Sequence, residues 1–319
     1  MSPRVSIIIP NWNGRQHLDD CLSSLYRQTL RDMEVILVDN NSSDDSVPHV
    51  RQYYPKVSIL TLEQNRGFTG ACNAGYVVSQ GEFIILLNND TEVDESWLAT
   101  IVEAFDVNPE VGSIACKILL FDRRDHFHTT GDYYRTDGIP GNRGVWQQDR
   151  GQYDHQEYVF SACGAAAAYR KTMLEQVGFL DDRFYFSCED VDLGWRAHLA
   201  GWQVLYVPEA VVYHKLKATG GSVTGSYFDG RNFIYLIWKN YPGSLLRQHW
   251  RSILKAQMRI SWEALRAWRG AAARARLRGQ IVGVLGLFRF WPERRRMKKT
   301  RRLSDDSLTE LLTPVDGAP

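Results

Sequence analysis

Asn88-Asn89-Asp90 closes the apolar run FIILL at 83–87, so two carboxamides and a carboxylate stand directly after five residues that belong in a core. A short continuous apolar run reads as a strand covered on both faces, and in open α/β sheets ligands gather beyond the carboxyl ends of such strands. Three more polar clusters end apolar runs in the same way: Pro10 to Gly14 (PNWNG), Asp39 to Asp44 (DNNSSD) and Glu63 to Gly67 (EQNRG). Asn and Asp also cap turns by bonding nearby backbone, and for any one cluster both readings stand. Four clusters at one sheet edge point to a pocket. No GxGxxG follows the first run and no GxxxxGK[ST] occurs, so the pocket is neither a dinucleotide site of the Rossmann kind nor a Walker phosphate loop.

Two further groups carry chemistry-bearing side chains. Glu189, Asp190 and Asp192 precede an amphipathic stretch with Leu193, Arg196 and Leu199, where acidic residues suit a helix start. His214 ends the run Val211-Val212-Tyr213, where a lone histidine serves as a structural group more often than as a metal ligand.

The elements that must position these residues alternate. Apolar runs at 5–9, 35–38, 57–62 and 83–87 read as strands, and amphipathic stretches at 17–28, 46–54 and 70–79 as helices. That is the βαβ rhythm of a mainly parallel sheet with helices on its faces. A helix over 94–108, closed by Pro109, and a strand over 113–120 continue it. From 121 to 158 no period is sustained, which predicts a long functional loop region with short strands. Order returns with an alanine-rich strand at 165–169, helices at 171–177 and 191–200, and a strand at 203–207.

Composition fits a soluble α/β enzyme: 319 residues can bury a large core, with 44% hydrophobic and 24% charged residues. Five scattered cysteines lack zinc or redox spacing and suggest a reducing compartment, and the apolar run at 5–9 before Pro10 is too short for a signal-peptide core. The expected location is therefore cytoplasmic. A net charge of +1 hides an asymmetry, because residues 243–302 hold seventeen Lys or Arg against only Glu263 and Glu293.

In order and spacing, VSIIIPNWNG at 5–14, EVILVDNNSSDDS at 34–46, NRGFTGACNAGY at 65–76, GEFIILLNNDTEVDESWL at 81–98, GFLDDRFYFSCEDVDLGWRAHLAGW at 178–202 and VPEAVVYH at 207–214 resemble the inverting glycosyltransferases of family 2, which have the GT-A fold, and in particular the bacterial branch that contains rhamnosyltransferases. The resemblance covers roughly residues 4 to 240.

It implies a division of labour. Asp39 accepts from the N3-H of a pyrimidine base; Pro10 and Asn11 line that base, Asn65 and Gly67 shape the wall beside it, and Asn73 is a further donor-binding candidate whose other reading is a plain helix-face residue. Asn88 and Asn89 occupy the start of the family's DxD motif, and Asp90 its metal-binding end; His214 supplies another ligand for a Mn²⁺ or Mg²⁺ cofactor. Two amides in place of carboxylates depart from an all-Asp pattern and leave Asp90 as the anionic ligand. Asp190 is implied as the general base that takes the acceptor hydroxyl proton. Small residues at 163–169 stand where the family places the floor between donor and acceptor.

The implied partners are a dTDP- or UDP-sugar donor and a glycan or lipid-linked glycan acceptor in cell-surface polysaccharide synthesis, with rhamnose on dTDP as the leading donor. Two other functions compete. A nucleotidyltransferase of similar fold normally shows a GxGxR loop, which PNWNG lacks; a catalytically inactive scaffold acting through a basic tail is opposed by the presence together of Asp39, Asp90, Asp190 and His214.

The expected organisation is a catalytic domain at 1–242, a basic amphipathic helical region at 243–303 and a flexible acidic tail at 304–319. Trp250, Ile253, Leu254, Met258 and Trp262 recur at helical spacing with Arg251, Lys255 and Arg259 between them. The apolar run at 281–291 is about half a bilayer span, so contact with the inner face of the plasma membrane is expected rather than insertion. Packing on the catalytic domain or on a second subunit of an oligomer is the competing reading. Nucleic acid is not expected, because no recognisable module accompanies the charge.

Overall fold

The computed structural model describes residues 2–216 and 223–317. Its first half follows the alternation: β1 (Val5–Asn11), α1 (Arg15–Tyr26), β2 (Met33–Asp39), α2 (Ser46–Tyr53), β3 (Ser58–Thr61), α3 (Gly67–Val78) and β4 (Phe83–Leu87). These four strands lie side by side in the order β4-β1-β2-β3, all parallel. Every residue of β4 is buried, as its unbroken apolar sequence requires, and Phe83 stacks on Phe105 at 4.5 Å between ring centroids.

The chain continues through β5 (Thr91–Val93), α4 (Trp97–Val107), β6 (Val111–Leu120), β7 (Phe127–Thr129), β8 (Asp132–Tyr134), β9 (Pro140–Asn142), β10 (Glu157–Tyr158), β11 (Ala166–Arg170), α5 (Lys171–Val177), α6 (Glu189–Leu199) and β12 (Gln203–His214). Strand β11 inserts antiparallel between β4 and β6, and β12 runs parallel to β6, completing a ten-stranded, largely parallel sheet. The long loop region at 121–158 does contain short strands, of which β8 and β9 pair as a separate ribbon.

Two details differ from expectation. The strand expected at 203–207 runs on to His214, with a register shift between Val207 and Val211 that accommodates Pro208. The short β5, unseen in the sequence because it spans three residues, folds back from Asp90 to pair antiparallel with β12, which sets Thr91 opposite His214.

The remaining helices are α7 (Val223–Asn240), α8 (Gly243–Arg266), α9 (Ala271–Leu285), α10 (Trp291–Thr300) and α11 (Asp305–Leu311). The region after 242 is helical as expected, but it shares a core with the part before it: Tyr134, Phe184, Trp195 and Tyr235 pack in one cluster with Leu245, Phe290, Leu308 and Leu312. Gly279 lets α9 close against α7, since a Cβ there would stand 2.1 Å from the Tyr227 carbonyl oxygen. The tail expected to be flexible is instead docked. Ser304 caps α11, Leu308 and Leu312 are buried, and the amide of Thr313 donates to the Tyr134 carbonyl. Acidic composition concealed those two apolar anchors; residues 318 and 319 lie outside the described residues.

Candidate active site

The loops after β1, β2, β3 and β4 are bound to one another through the amides that the sequence singled out. Asn11 Nδ2 donates to Ser42 Oγ, and Asn11 Oδ1 accepts from Asn89 Nδ2 at 2.7 Å. Asn40 Nδ2 donates to Asn65 Oδ1 and to the Gly67 carbonyl, each at 3.0 Å, while Asn40 Oδ1 accepts from the Arg66 amide. Gly14 has no side chain because there is no room for one: a Cβ would lie 2.0 Å from Asn89 Nδ2.

Asp39 sits at the end of β2, opposite Asn11 in register. Its Oδ2 accepts from the Ser42 amide at 3.3 Å, but its Oδ1 is buried and meets no donor among the described residues. A buried carboxylate oxygen left bare is costly, so this atom is available to a ligand N-H.

Beside this edge opens a cavity of about 520 Å³ whose lining includes Asn88, His128, Asp132, Gly164, Asp190 and His214. Pro10, Asn11, Asp39, Asn65, Gly67, Asn89 and Asp90 are not in its wall, but Phe68 and Asn88, next to Gly67 and Asn89 in the chain, and His214, hydrogen-bonded to Asp90, are. Asn73 is elsewhere. Its Nδ2 donates to the Leu180 carbonyl and to Asp182 Oδ1, tying α3 to the 180–182 turn.

Asp90 and His214 do converge, with Oδ1 and Nε2 3.0 Å apart. Burial opposes charge on Asp90, but the hydrogen bond and charge of His214 outweigh it and keep the carboxyl below its ordinary range. His128, which no sequence signal marked, stands behind them: its Nδ1 is 3.1 Å from His214 Nδ1. Strand β7 pairs with β6 and β6 with β12, and that pairing brings the two imidazoles together. Burial, then the neighbouring His214, pushes His128 down to about 3.

Asp190 enters the cavity from the first turn of α6. The Gly164 amide donates to its Oδ2 and the Val191 amide to its Oδ1, both at 2.8 Å. Burial raises its proton affinity despite those bonds. Asp132 and Glu189, both buried and also raised by burial and then by Asp190, complete a carboxyl cluster. Asp132 accepts from Ser161 and Asn142, whereas Glu189 Oε2 meets no donor among the described residues. Leading into α6, Tyr185, Ser187 and Cys188 all have φ between 64° and 70°, a conformation that L residues adopt at a cost. That strained loop leans on Gly67, where a Cβ would meet the Tyr185 ring at 2.6 Å.

Asp192 belongs to a different structure. It is fully buried, with Arg196 and Lys239 each donating at 2.8 Å and Asn240 at 2.9 Å, and it locks α6 to α7.

A largely parallel sheet with amides and carboxylates at its strand ends, completed by an acidic helix start and a late histidine, is a GT-A glycosyltransferase architecture. The chain matches the model of Glycosyl transferase family 2 over residues 6–178 and belongs to that family. It is 31% identical over 229 residues to the O-antigen biosynthesis protein RfbC of Myxococcus xanthus, covering 68% of this chain and 18% of that one. It is 27% identical over 244 residues to the N-acetylglucosaminyl-diphospho-decaprenol L-rhamnosyltransferase of Mycobacterium tuberculosis, covering 69% and 79%. These relatives place it in the rhamnosyltransferase-like branch. Among solved structures it resembles GalNAc-T7 with UDP, GalNAc and Mn²⁺, at a TM-score of 0.61 and 15% identity over 75% of this chain and 48% of that one. It also resembles the mannosyltransferase PcManGT from Pyrobaculum calidifontis with GDP-Man and Mn²⁺, at 0.55 and 16% over 94% and 86%. The chain thus spans less than a fifth of the Myxococcus protein and about half of GalNAc-T7.

Proposed function

We propose that this chain is an inverting glycosyltransferase that works in the cytoplasm and moves a sugar from a nucleoside diphosphate to a glycan or lipid-linked glycan acceptor in cell-surface polysaccharide synthesis. Rhamnose from a dTDP donor is the leading case, supported by the name of the mycobacterial relative. The observation that carries the reading is Asp190, a half-buried carboxylate held by two backbone amides in the same cavity as Asn88 and His214.

Asp190, with its proton affinity raised, is suited to take the proton of an acceptor hydroxyl as that oxygen attacks the anomeric carbon. The new bond joins acceptor oxygen to C1, the bond from C1 to the phosphate oxygen breaks, and the diphosphate departs with the electron pair. Attack and departure on opposite faces invert the centre. On the donor side, Asp39 Oδ1 accepts the N3-H of the base, with Pro10, Asn11, Asn65 and Gly67 around it and Asn88 and Asn89 reaching towards the diphosphate.

The residues fit a divalent cation in a limited way. No three His, Cys, Asp or Glu side chains among the described residues could hold one unaided. Asp90 and His214 present one oxygen and one nitrogen side by side, a set that suits Mn²⁺ better than Mg²⁺ and that phosphate oxygens would complete. A bound cation would supply neutralisation of charge on the leaving diphosphate.

Calorimetry with UDP, dTDP and GDP, each with and without Mn²⁺, tests the reading. Metal-dependent binding of one pyrimidine diphosphate, lost in Asp90→Ala, is the expected result. A folded chain that binds none of them overturns it.

A further inference from the structure

Helix α8 turns an apolar stripe towards solvent. Trp250, Leu254, Met258, Trp262 and Leu265 recur every three or four residues, and each is more than half exposed. The side that packs on the body is the other one, through Leu245, Ala256 and Ala264. At the end of α9 and just beyond it, Ile281, Val284, Leu285 and Phe288 repeat the pattern at 58% to 72% exposure.

The two stripes adjoin. Ser261 Oγ bonds Gln280 Oε1 at 2.9 Å across the α8–α9 seam, and α9 meets α7 on its Gly279 and Gly283 side. With roughly 100° of turn per residue, Ile281 lies one step around α9 from that seam, on the side away from α7, and Trp262 lies one step around α8 from Ser261. An apolar face of this extent marks an interaction surface.

Next to the stripe on α8 runs a second one of exposed Arg251, Lys255, Arg259 and Arg266. Where α8 begins, a cavity of about 520 Å³ is lined by Arg247, Trp291, Arg294, Arg295, Lys298 and Arg301.

We propose that the α8–α9 face docks on an anionic membrane surface. Its charge selects the occupant: a second copy would bring two strongly basic faces together, whereas a phosphate-rich surface complements both the basic stripe and the basic cavity. Half-exposed Trp250, Trp262 and Trp291 suit the headgroup boundary. No helix of the described residues is long and apolar enough to cross a membrane, so the face lies on the surface. The docking face and the active-site cavity share a helix, because Arg276 of α9 lines that cavity and pairs with Asp229 at 3.2 Å. An acceptor anchored in the bilayer would therefore be met beside the reaction site. The proposal goes beyond the transferase reading and does not depend on it.

The experiment is sedimentation of the full chain with phosphatidylcholine vesicles, with and without phosphatidylglycerol, across a salt series. Binding to the mixed vesicles that falls with salt and is about tenfold or more weaker in Arg251→Glu/Lys255→Glu supports the proposal. Met258→Glu/Trp262→Glu, at exposed positions and with unchanged circular dichroism, should weaken binding at every salt concentration. Equal sedimentation with both vesicle types, or none with either, overturns it. So does a vesicle-independent dimer that the Met258→Glu/Trp262→Glu pair dissociates, which would assign the face to self-association.

Discussion

Asp90 Oδ1 lies 3.0 Å from His214 Nε2 although the two residues are 124 positions apart in the chain. The contact follows from β5, which turns back immediately after Asp90 and pairs with the last residues of β12. Removing either partner should weaken metal-dependent nucleotide binding beyond the ~10–100-fold typical of a supporting residue. His128→Ala, which removes the imidazole behind His214, should fall within that smaller range. Calorimetry with Mn²⁺ and each diphosphate separates the two cases.

Asp190→Asn should lower kcat by about 10²–10⁴-fold with nucleotide affinity unchanged. Burial raises the carboxyl in the folded chain, so activity should fail on the acid side at a pH above the ordinary aspartate range. For stability the sign is opposite. A raised folded pKa contributes stability that is complete below the unfolded value and lost as pH rises through the folded one, so ionised Asp190 is a burden at neutral pH. The Asn variant removes that charge but turns an NH2 towards one of the two backbone amides that donate to the carboxylate. The two effects oppose, so Tm should stay close to wild type, and a large drop in Tm alongside lost turnover would make Asp190 structural.

Asp39→Ala should cost nucleotide binding roughly 1–3 kcal/mol if the bare Oδ1 is the acceptor for the base. The loss should appear with pyrimidine diphosphates and spare a non-nucleotide probe such as pyrophosphate. Equal loss for both would place Asp39 in loop support, through its bond from the Ser42 amide.

Gly14→Ala should disturb the site without unfolding the protein. Its Cβ would sit 2.0 Å from Asn89 Nδ2 and 2.5 Å from Asn11 Oδ1, so the Asn11–Asn89 bond must give way. Misplacement on this scale can cost about 10²-fold in turnover. Transfer rates measured beside Tm check it, with wild-type turnover as the refuting outcome.

Lys239→Met should destabilise the fold by about 3–5 kcal/mol, because it leaves Asp181 and Asp192 short of a partner inside the protein. Urea unfolding reads the change directly. A shift under about 1 kcal/mol would mean that Arg183 and Arg196 alone satisfy the two carboxylates.

What the residues determined by themselves is what depends on short-range pattern. Continuous apolar runs placed β1, β2 and β4, and the polar clusters after them placed one rim of the site, because a strand and its ligand-facing end are adjacent in the chain. Order and spacing of motifs was enough to indicate the family, and of the residues that pattern singled out Asp90 and His214 lie within 3.0 Å of each other. The tertiary structure alone decided what depends on pairing between distant segments. His128 and Asp132 come from a stretch with no period and reach the cavity only because β7 joins β6 and β8 bonds Ser161. Asn73 could not be separated from the site by residue type, since its amide serves a turn as readily as a ligand. In α8 periodicity revealed an amphipathic helix but not which face is covered. Small residues such as Ala256 and Ala264 pack inwards while the tryptophans face out, a choice made by the shape of the surface they meet.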